Sequence, residues 1–166
     1  MSARADLQTT DGQGGPDEDA RFVVFSLGGY EYGLAADNVL EVIRFVAVTP
    51  VPESPHWVLG VIDLRGRAVP VVEGRRRLGL PEREDWLSPA IVIVDRGGAV
   101  SGLVVDAAID MTTVGRQMLE APPEVPAVPA VAAASRIQVS AVARVGERLI
   151  LVLDPSVAGP DGEVER

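Results

Sequence analysis

The chain has 166 residues, 47% of them hydrophobic, and a formal net charge of −9. This length and apolar content suffice for one compact domain or for two small ones that share a core. Binding to nucleic acids or anionic membranes needs a basic protein surface, and a protein with this negative net charge lacks one. We therefore expect neither as a partner. The sequence has no cysteine, which excludes disulfides, thiolate metal sites and thiol catalysis.

The two ends of the chain differ in composition from the middle. Residues 1–20 are polar and acidic, and we expect a disordered leader because they have little apolar surface to bury. No apolar run reaches the roughly 18 residues of a membrane span, and the leader resembles neither a signal peptide nor an anchor. We therefore expect a cytoplasmic protein without direct membrane insertion, with one domain over residues 21–157 and a flexible tail over residues 158–166.

The first part of the domain predicts a β-hairpin followed by a turn and a strand. Residues 22–27 and 30–34 are β-rich and flank a Gly-Gly turn. Asp37 is placed to cap a short helical turn. Residues 42–46 then predict a strand, and Pro55 begins another helical turn before the next strand.

The most informative segment covers residues 60–72, which predict a strand, a tight Arg65-Gly66 turn and a second strand through Pro70. A glycine turn at a strand end holds the guanidinium rigidly at the surface, where it suits a carboxylate or carbonyl of a partner. Glu41 would orient Arg65 through an ion pair across the barrel end. The other interpretation is an arginine that only covers the strand edge.

The second half of the chain predicts two further hairpins, over residues 90–106 and 139–153. Residues 119–134 lie between them and are rich in Pro and Ala, which forbids a strand and predicts a surface crossover or a mobile loop. We expect these two hairpins in one barrel and the strands of residues 60–72 in the other. Many short strands at close spacing favour small barrels or a sandwich over a parallel α/β sheet.

Candidate catalytic groups are few. The single histidine, His56, has no spaced cysteine or glutamate partners, so we interpret it as a structural or surface residue. The acidic residues at 82, 84 and 85 read as a solvated loop, and the arginines at 75–77 as the solvated face of a short helix. We expect no enzyme activity, no metal and no cofactor.

Six groups of motifs follow one another along the chain: FSLG (25–28) with YGL (32–34), VLEVIR (39–44), PVP (50–52) with Pro55, LGVIDLRG (59–66) with VPVV (69–72), GLVVD (102–106) and RLILVLD (148–154). In this order and spacing, from residue 22 to about residue 155, they resemble the CheW family of chemotaxis coupling proteins. The resemblance implies a mainly β fold, with two small five-stranded SH3-like β-barrel subdomains that share one core and carry short helical turns.

The resemblance also implies a non-enzymatic adaptor. Such a protein couples the cytoplasmic tip of a methyl-accepting chemoreceptor to the regulatory domain of a CheA-type histidine kinase, at membrane-associated receptor arrays. The receptor's helix hairpin would lie in a groove between the barrels. By position, the receptor-binding residues would be Ala36, Val39, Glu41, Val42, Arg65 and Ala108, and the kinase-binding residues Gly66, Val69 and Pro70.

Several residues depart from the family pattern. Asp63 stands where the family usually has asparagine and would compete with Glu41 for Arg65. Glu73-Gly74 replaces a common Asp-Leu pair, which predicts a looser strand end. Ala141 stands where glycine is frequent, and Ala36 and Ala108 predict a shallow groove. Open alternatives are an accessory protein that binds only one of the two partners, a ligand-binding sensor barrel with an apolar pocket and, last, an enzyme.

Overall fold

The computed structural model describes residues 19–86, 88–122 and 139–160, and these residues form a mainly β protein, as predicted. The strands are β1 (Asp19–Leu27), β2 (Tyr30–Ala35), β3 (Val39–Arg44), β4 (Val58–Leu64), β5 (Arg67–Glu73), β6 (Ala90–Arg96), β7 (Ala99–Val105), β8 (Ala107–Gly115), β9 (Leu119–Glu120), β10 (Val139–Val145) and β11 (Arg148–Leu153). One helical turn, α1 (Gly74–Arg77), follows β5, and 3-10 turns cover Ala36–Asn38, Arg116–Met118 and Pro155–Ala158.

The strands form two sheets, which we call barrel A and barrel B. Barrel A has the order β8-β1-β2-β11-β10-β9, and barrel B has the order β3-β6-β7-β5-β4. Barrel A thus has a short sixth strand beyond the five predicted. In barrel B, Thr49 exchanges two backbone hydrogen bonds of 2.9 Å with Val61 on the edge strand β4. In barrel A, the 3-10 turn Arg116–Met118 joins the two edge strands, β8 and β9, directly.

The two barrels exchange strands in equivalent ways. After the hairpin β1–β2 of barrel A, strand β3 pairs with β6 of barrel B. After the hairpin β6–β7 of barrel B, strand β8 pairs with β1 of barrel A. The hairpins β4–β5 and β10–β11 then join through parallel pairs, β5 with β7 and β11 with β2. The strand that follows a hairpin of one barrel is therefore an edge strand of the other barrel: β3 in barrel B and β8 in barrel A.

The predicted assignment of hairpins to barrels is wrong. The hairpin β6–β7 lies in barrel B with β4 and β5, whereas the final hairpin β10–β11 lies in barrel A with β1 and β2. A hairpin is specified by its own turn and strand pattern. The parallel pairings that assign it to a barrel join strands distant in sequence, and no local pattern encodes them.

Three local boundaries also differ from prediction. The segment 119–134, expected to exclude strands, begins with β9, which pairs with β10. The helical turn that begins at Pro55 is shorter than expected. It is closed by a 2.9 Å hydrogen bond from the Val58 N–H to the Pro55 carbonyl, and β4 already begins at Val58. Strand β1 begins at Asp19, inside the predicted leader. The remaining leader (1–18), residues 123–134 and the tail from 161 lie outside the described residues.

One core joins the barrels. Its central cluster includes Phe25 and Tyr32 of barrel A and Val92 and Leu103 of barrel B. A smaller cluster fills the interior of each barrel. Since the side chains between the barrels form the largest apolar cluster, burial of this cluster stabilises both barrels together.

The strand end at Gly74 is tightly packed, so the prediction of a loose end is wrong. A Cβ atom on Gly74 would lie 2.5 Å from the carbonyl oxygen of Val104 and 3.0 Å from Cδ1 of Leu27. Glu73 caps α1 by accepting a 3.1 Å hydrogen bond from the Arg75 N–H. Leu78, 1% exposed, anchors the end of this turn in the central cluster.

Tyr32 gives a test of the shared core. Its side chain is fully buried, its hydroxyl has no hydrogen-bond partner among the described residues, and burial raises its pKa. A buried polar group without a partner costs about 1–3 kcal/mol. We expect Tyr32→Phe to unfold in urea at the same or a higher midpoint, while Tyr30→Phe, at a half-buried site, changes little. A clearly less stable Tyr32→Phe variant would contradict the burial of an unpaired hydroxyl.

Candidate functional site

The turn between β4 and β5 has the tight geometry predicted. Arg65 has φ +51° and Gly66 has φ +87°, so both residues adopt the left-handed conformation of a type I′ hairpin turn. The Asp63 carboxylate accepts a 2.8 Å hydrogen bond from the Gly66 N–H. Asp63 and Arg65 form no ion pair in the part of the chain that the structure describes. Asp63 therefore fixes the turn, and the expected competition with Glu41 is not seen.

The predicted ion pair between Arg65 and Glu41 is present. It joins β3 to the turn that follows β4, and these are the two edge strands of barrel B. The Arg65 side chain is 69% exposed and that of Glu41 is 32% exposed, so the pair contributes only about 0–1 kcal/mol to stability. A left-handed conformation costs a residue other than glycine about 1 kcal/mol. An exposed guanidinium held at such a position favours the binding interpretation over an edge-covering role.

The other predicted receptor-binding residues lie on or beside the exchanged strands. Ala36 is half-buried in the 3-10 turn before β3. Val39 is half-buried and packs against the central cluster, whereas Val42 on the same strand is 39% exposed. Ala108 is exposed on β8, opposite Phe25 of the central cluster. Val39 of barrel B thus packs against the inter-barrel core, whereas Ala108 of barrel A is itself exposed and is paired in register with a residue of that core.

The predicted kinase-binding residues do not form one surface. Gly66 is exposed at the turn and Pro70 is half-buried on β5. Val69 is 1% exposed and belongs to the cluster inside barrel B. Its side chain points inward because side chains alternate along a strand, so assigning Val69 to a binding surface is wrong.

A network of charged side chains connects the barrels at the passage from β7 to β8. Asp106, between these strands, accepts hydrogen bonds of 3.0 and 2.7 Å from Arg75 and one of 2.7 Å from Arg83. Its carboxylate also accepts a 2.9 Å hydrogen bond from the Gly28 N–H in the β1–β2 turn of barrel A. Arg83 binds the fully buried Glu73 as well, at 2.8 Å. We call Glu73, Arg75, Arg83 and Asp106 the junction network.

The junction network balances its charges, with two guanidinium groups facing two carboxylates. Burial disfavours the charged form of Asp106, but hydrogen bonds from Arg75 and Gly28 outweigh burial and hold its pKa below the usual value. The hydrogen bond to Asp106 likewise raises the pKa of Arg75. Paired charges of this kind are costly to separate, since removing one partner leaves a buried charge.

The arginines of α1 do not form the solvated helix face that the sequence predicts. Arg75 belongs to the junction network, and Arg76 pairs with Glu82 at 3.2 Å and donates to the His56 carbonyl. The Arg77 guanidinium lies 5.0 Å from the centre of the Trp57 ring. The short helix therefore directs three arginines to three different partners.

A cavity of about 520 Å³ lies beside the junction network and is lined by charged groups, including Arg75, Arg83 and Asp106. It is unlike the mainly apolar pocket with a few polar groups that a small-molecule sensor needs. The described residues contain no group of three His, Cys, Asp or Glu side chains placed to hold a metal ion. Among those same residues, no helix has the length and apolar character to cross a membrane.

Sequence reasoning missed the junction network. Arg83 stands in an acidic loop without periodicity, and its partners Glu73 and Asp106 are 10 and 23 residues away. The available signal was the position of Asp106, a single carboxylate directly after an apolar strand. Such a residue needs a partner if it is buried.

The pKa of Asp106 predicts an acid dependence of stability. Because the carboxylate has a lower pKa in the folded state, its stabilisation is complete above the unfolded value near 4 and is lost as the pH falls through the folded value. We expect Asp106→Asn to lower the free energy of unfolding at pH 7 by about 1–3 kcal/mol, and to lose less stability between pH 5 and 3 than the wild type. The control is Asp37→Asn, at an exposed position, which should lose as much stability between pH 5 and 3 as the wild type. If Asp106→Asn also loses as much stability as the wild type over this range, the role of Asp106 is contradicted.

Comparisons with known proteins agree with this architecture. The CheW-like domain family matches residues 21–158. The chemotaxis protein CheW of Rhizobium meliloti is 33% identical over 103 residues, which cover 62% of this chain and 66% of the relative. That of Bacillus subtilis is 35% identical over 104 residues, 63% of this chain and 67% of the relative.

Among solved structures, the scaffolding protein TtCheW from Thermoanaerobacter tengcongensis matches with a TM-score of 0.73 and 31% identity, over 81% of this chain and 88% of that one. The aligned segments of the two curated relatives span about two thirds of their length. The family match runs from β1 to the last 3-10 turn and so includes both barrels. The chain therefore belongs to the CheW family of chemotaxis scaffold proteins.

Proposed function

We propose that this protein is a non-enzymatic adaptor that couples the cytoplasmic tip of a methyl-accepting chemoreceptor to the regulatory domain of a CheA-type histidine kinase. The observation that carries the proposal is the exposed Arg65 guanidinium, held at a left-handed turn and paired with Glu41 across the edges of barrel B. Membership of the CheW family supports the choice of partners. In this role the protein works in the cytoplasm, at membrane-associated receptor arrays.

Coupling of this kind needs two binding surfaces and no chemical step. An adaptor that binds both partners places the kinase beside the receptor, so a change in receptor conformation shifts the kinase's conformational equilibrium. The rigid connection between the barrels suits this task, because the shared core and the junction network fix the position of one surface relative to the other.

The proposed receptor surface follows the exchanged strands. It consists of Ala36, Val39, Glu41, Val42, Arg65 and Ala108. Its apolar members are two alanines, the half-buried Val39 and the exposed Val42, which give a shallow surface for a helix. Arg65 adds a planar donor for a carboxylate or carbonyl. The proposed kinase surface is the β4–β5 turn at Gly66 together with Pro70.

Ala108 provides the cleaner test of the receptor surface. Val39 packs against the central cluster, so an aspartate there would also lower stability, whereas Ala108 is exposed. We expect Ala108→Asp to weaken binding of a chemoreceptor tip fragment by about 1–3 kcal/mol, the usual cost of burying an unpaired charge. Calorimetric titration measures this. The adjacent Ala107→Asp is the matched control, since neighbouring side chains of a strand point to opposite faces; equal affinity of both variants and wild type would remove Ala108 from the surface.

Arg65 separates a binding role from a structural one. We expect Arg65→Ala to weaken kinase coupling in reconstituted arrays by about tenfold or more, with only about 0–1 kcal/mol lost from the free energy of unfolding. Arg65→Lys should rescue poorly because an ammonium group cannot reproduce the planar fork. Thermal unfolding is measured beside the affinities for receptor and kinase fragments.

The same titrations distinguish a full adaptor from a protein that binds one partner. A full adaptor binds both fragments separately, whereas an accessory member of the family binds only one. If Arg65→Ala unfolds while its remaining folded fraction binds normally, Arg65 is a structural residue.

A further inference from the structure

A groove of about 630 Å³ lies on barrel B between the end of β3 and the segment that leads into β6. Its apolar lining includes Val42, Phe45 and Trp86, and Arg44 is the only charged residue among the described residues that line it. Val42 is 39% exposed and Trp86 is 41% exposed. The groove therefore presents an open apolar surface beside one positive charge.

Trp86 is held in a defined orientation although it is exposed. Its ring packs against Phe45, with 5.1 Å between the ring centroids. The Arg83 guanidinium lies 4.9 Å from the centre of the same ring, and Glu73 and Asp106 hold Arg83 in place. An aromatic residue that is rigid before binding loses little conformational freedom on contact, and tryptophan is among the residue types enriched at binding hot spots.

Arg44 supplies the charge that identifies the occupant. It is exposed, and the described residues contribute no hydrogen bond or ion pair to its side chain. The acidic residues Glu82 and Glu84 line the neighbouring cavity and not this groove. A partner group that covers the groove must therefore match a positive charge, which favours a carboxylate beside an apolar side chain.

We propose that this groove is a second anchor point for the chemoreceptor helix, an inference that rests on the proposed function. Val42 belongs both to the proposed receptor surface and to the groove, so the two are continuous along β3. A helix lying over Val39 and Val42 continues into the groove, where an apolar side chain packs between Val42 and Trp86. A carboxylate one helical turn away, at i+3 or i+4, pairs with Arg44.

The test is titration of a chemoreceptor tip fragment from the same organism into the full-length protein. We expect Trp86→Ala to weaken binding about tenfold, as loss of a hot-spot side chain does. Arg44→Glu should weaken it about fivefold at low salt and less at high salt, because added ions screen the lost attraction. The matched controls are Met118→Ala, 44% exposed on barrel A, and the exposed Arg116→Gln, and both should bind like the wild type.

The outcomes separate this inference from the proposed function. If Trp86→Ala and Arg44→Glu bind like the wild type while Ala108→Asp binds weakly, the groove is no anchor and the receptor surface stands. If the groove variants bind weakly and Ala108→Asp binds normally, the groove is supported and Ala108 is not. Absence of wild-type binding to a fragment that activates a cognate kinase would overturn both. Should Trp86→Ala unfold, Arg44→Glu decides, because its side chain makes no polar contact with the described residues.

Discussion

The arrangement of the two barrels depends on the carboxylate of Asp106. It lies where the chain leaves β7 of barrel B for β8 of barrel A, and it gathers donors from both barrels, Arg75 and Arg83 on one side and the Gly28 N–H on the other. Its own N–H donates to the Ser26 carbonyl at 2.9 Å. Apolar contacts are not directional, whereas several charge-assisted hydrogen bonds that converge on one carboxylate are, so they add an orientational constraint to the shared core.

The junction network also positions the residues of the proposed binding surfaces. Val39 follows the passage from barrel A to barrel B, and Ala108 stands two residues after Asp106, at the passage back. Arg83 extends the junction to the surface through its contact with Trp86. A scaffold protein has to keep its partners in a fixed relation, and here the groups that join the barrels are also the groups that position the exposed residues.

Local features of this chain could be predicted from its sequence, and features that join distant segments could not. The hairpins and the Arg65-Gly66 turn follow from alternation and glycine chemistry within a few residues. The Arg65–Glu41 pair was predicted because both residues belong to recognisable strand motifs. The parallel pairings, the packing that requires Gly74 and the burial of Arg83 depend on residues brought together only in the folded barrels. The strand pattern around Val69 was recognisable in the sequence, but the sequence did not show which of its side chains face the core.

Because of the strand exchange, the strands of the two barrels are synthesised in a different order. Barrel B uses the consecutive strands β3 to β7, whereas barrel A combines β1 and β2 with β8 to β11. On the ribosome, barrel B can therefore complete its sheet while the β1–β2 hairpin still waits for partners such as Val114, which pairs with Ala20 across 94 residues of sequence. Long-range pairings of this kind form slowly and leave apolar strand edges open in the meantime. The β1–β2 hairpin is thus synthesised before barrel B but covered after it, and until β8 to β11 pair with it, its exposed apolar edges favour aggregation.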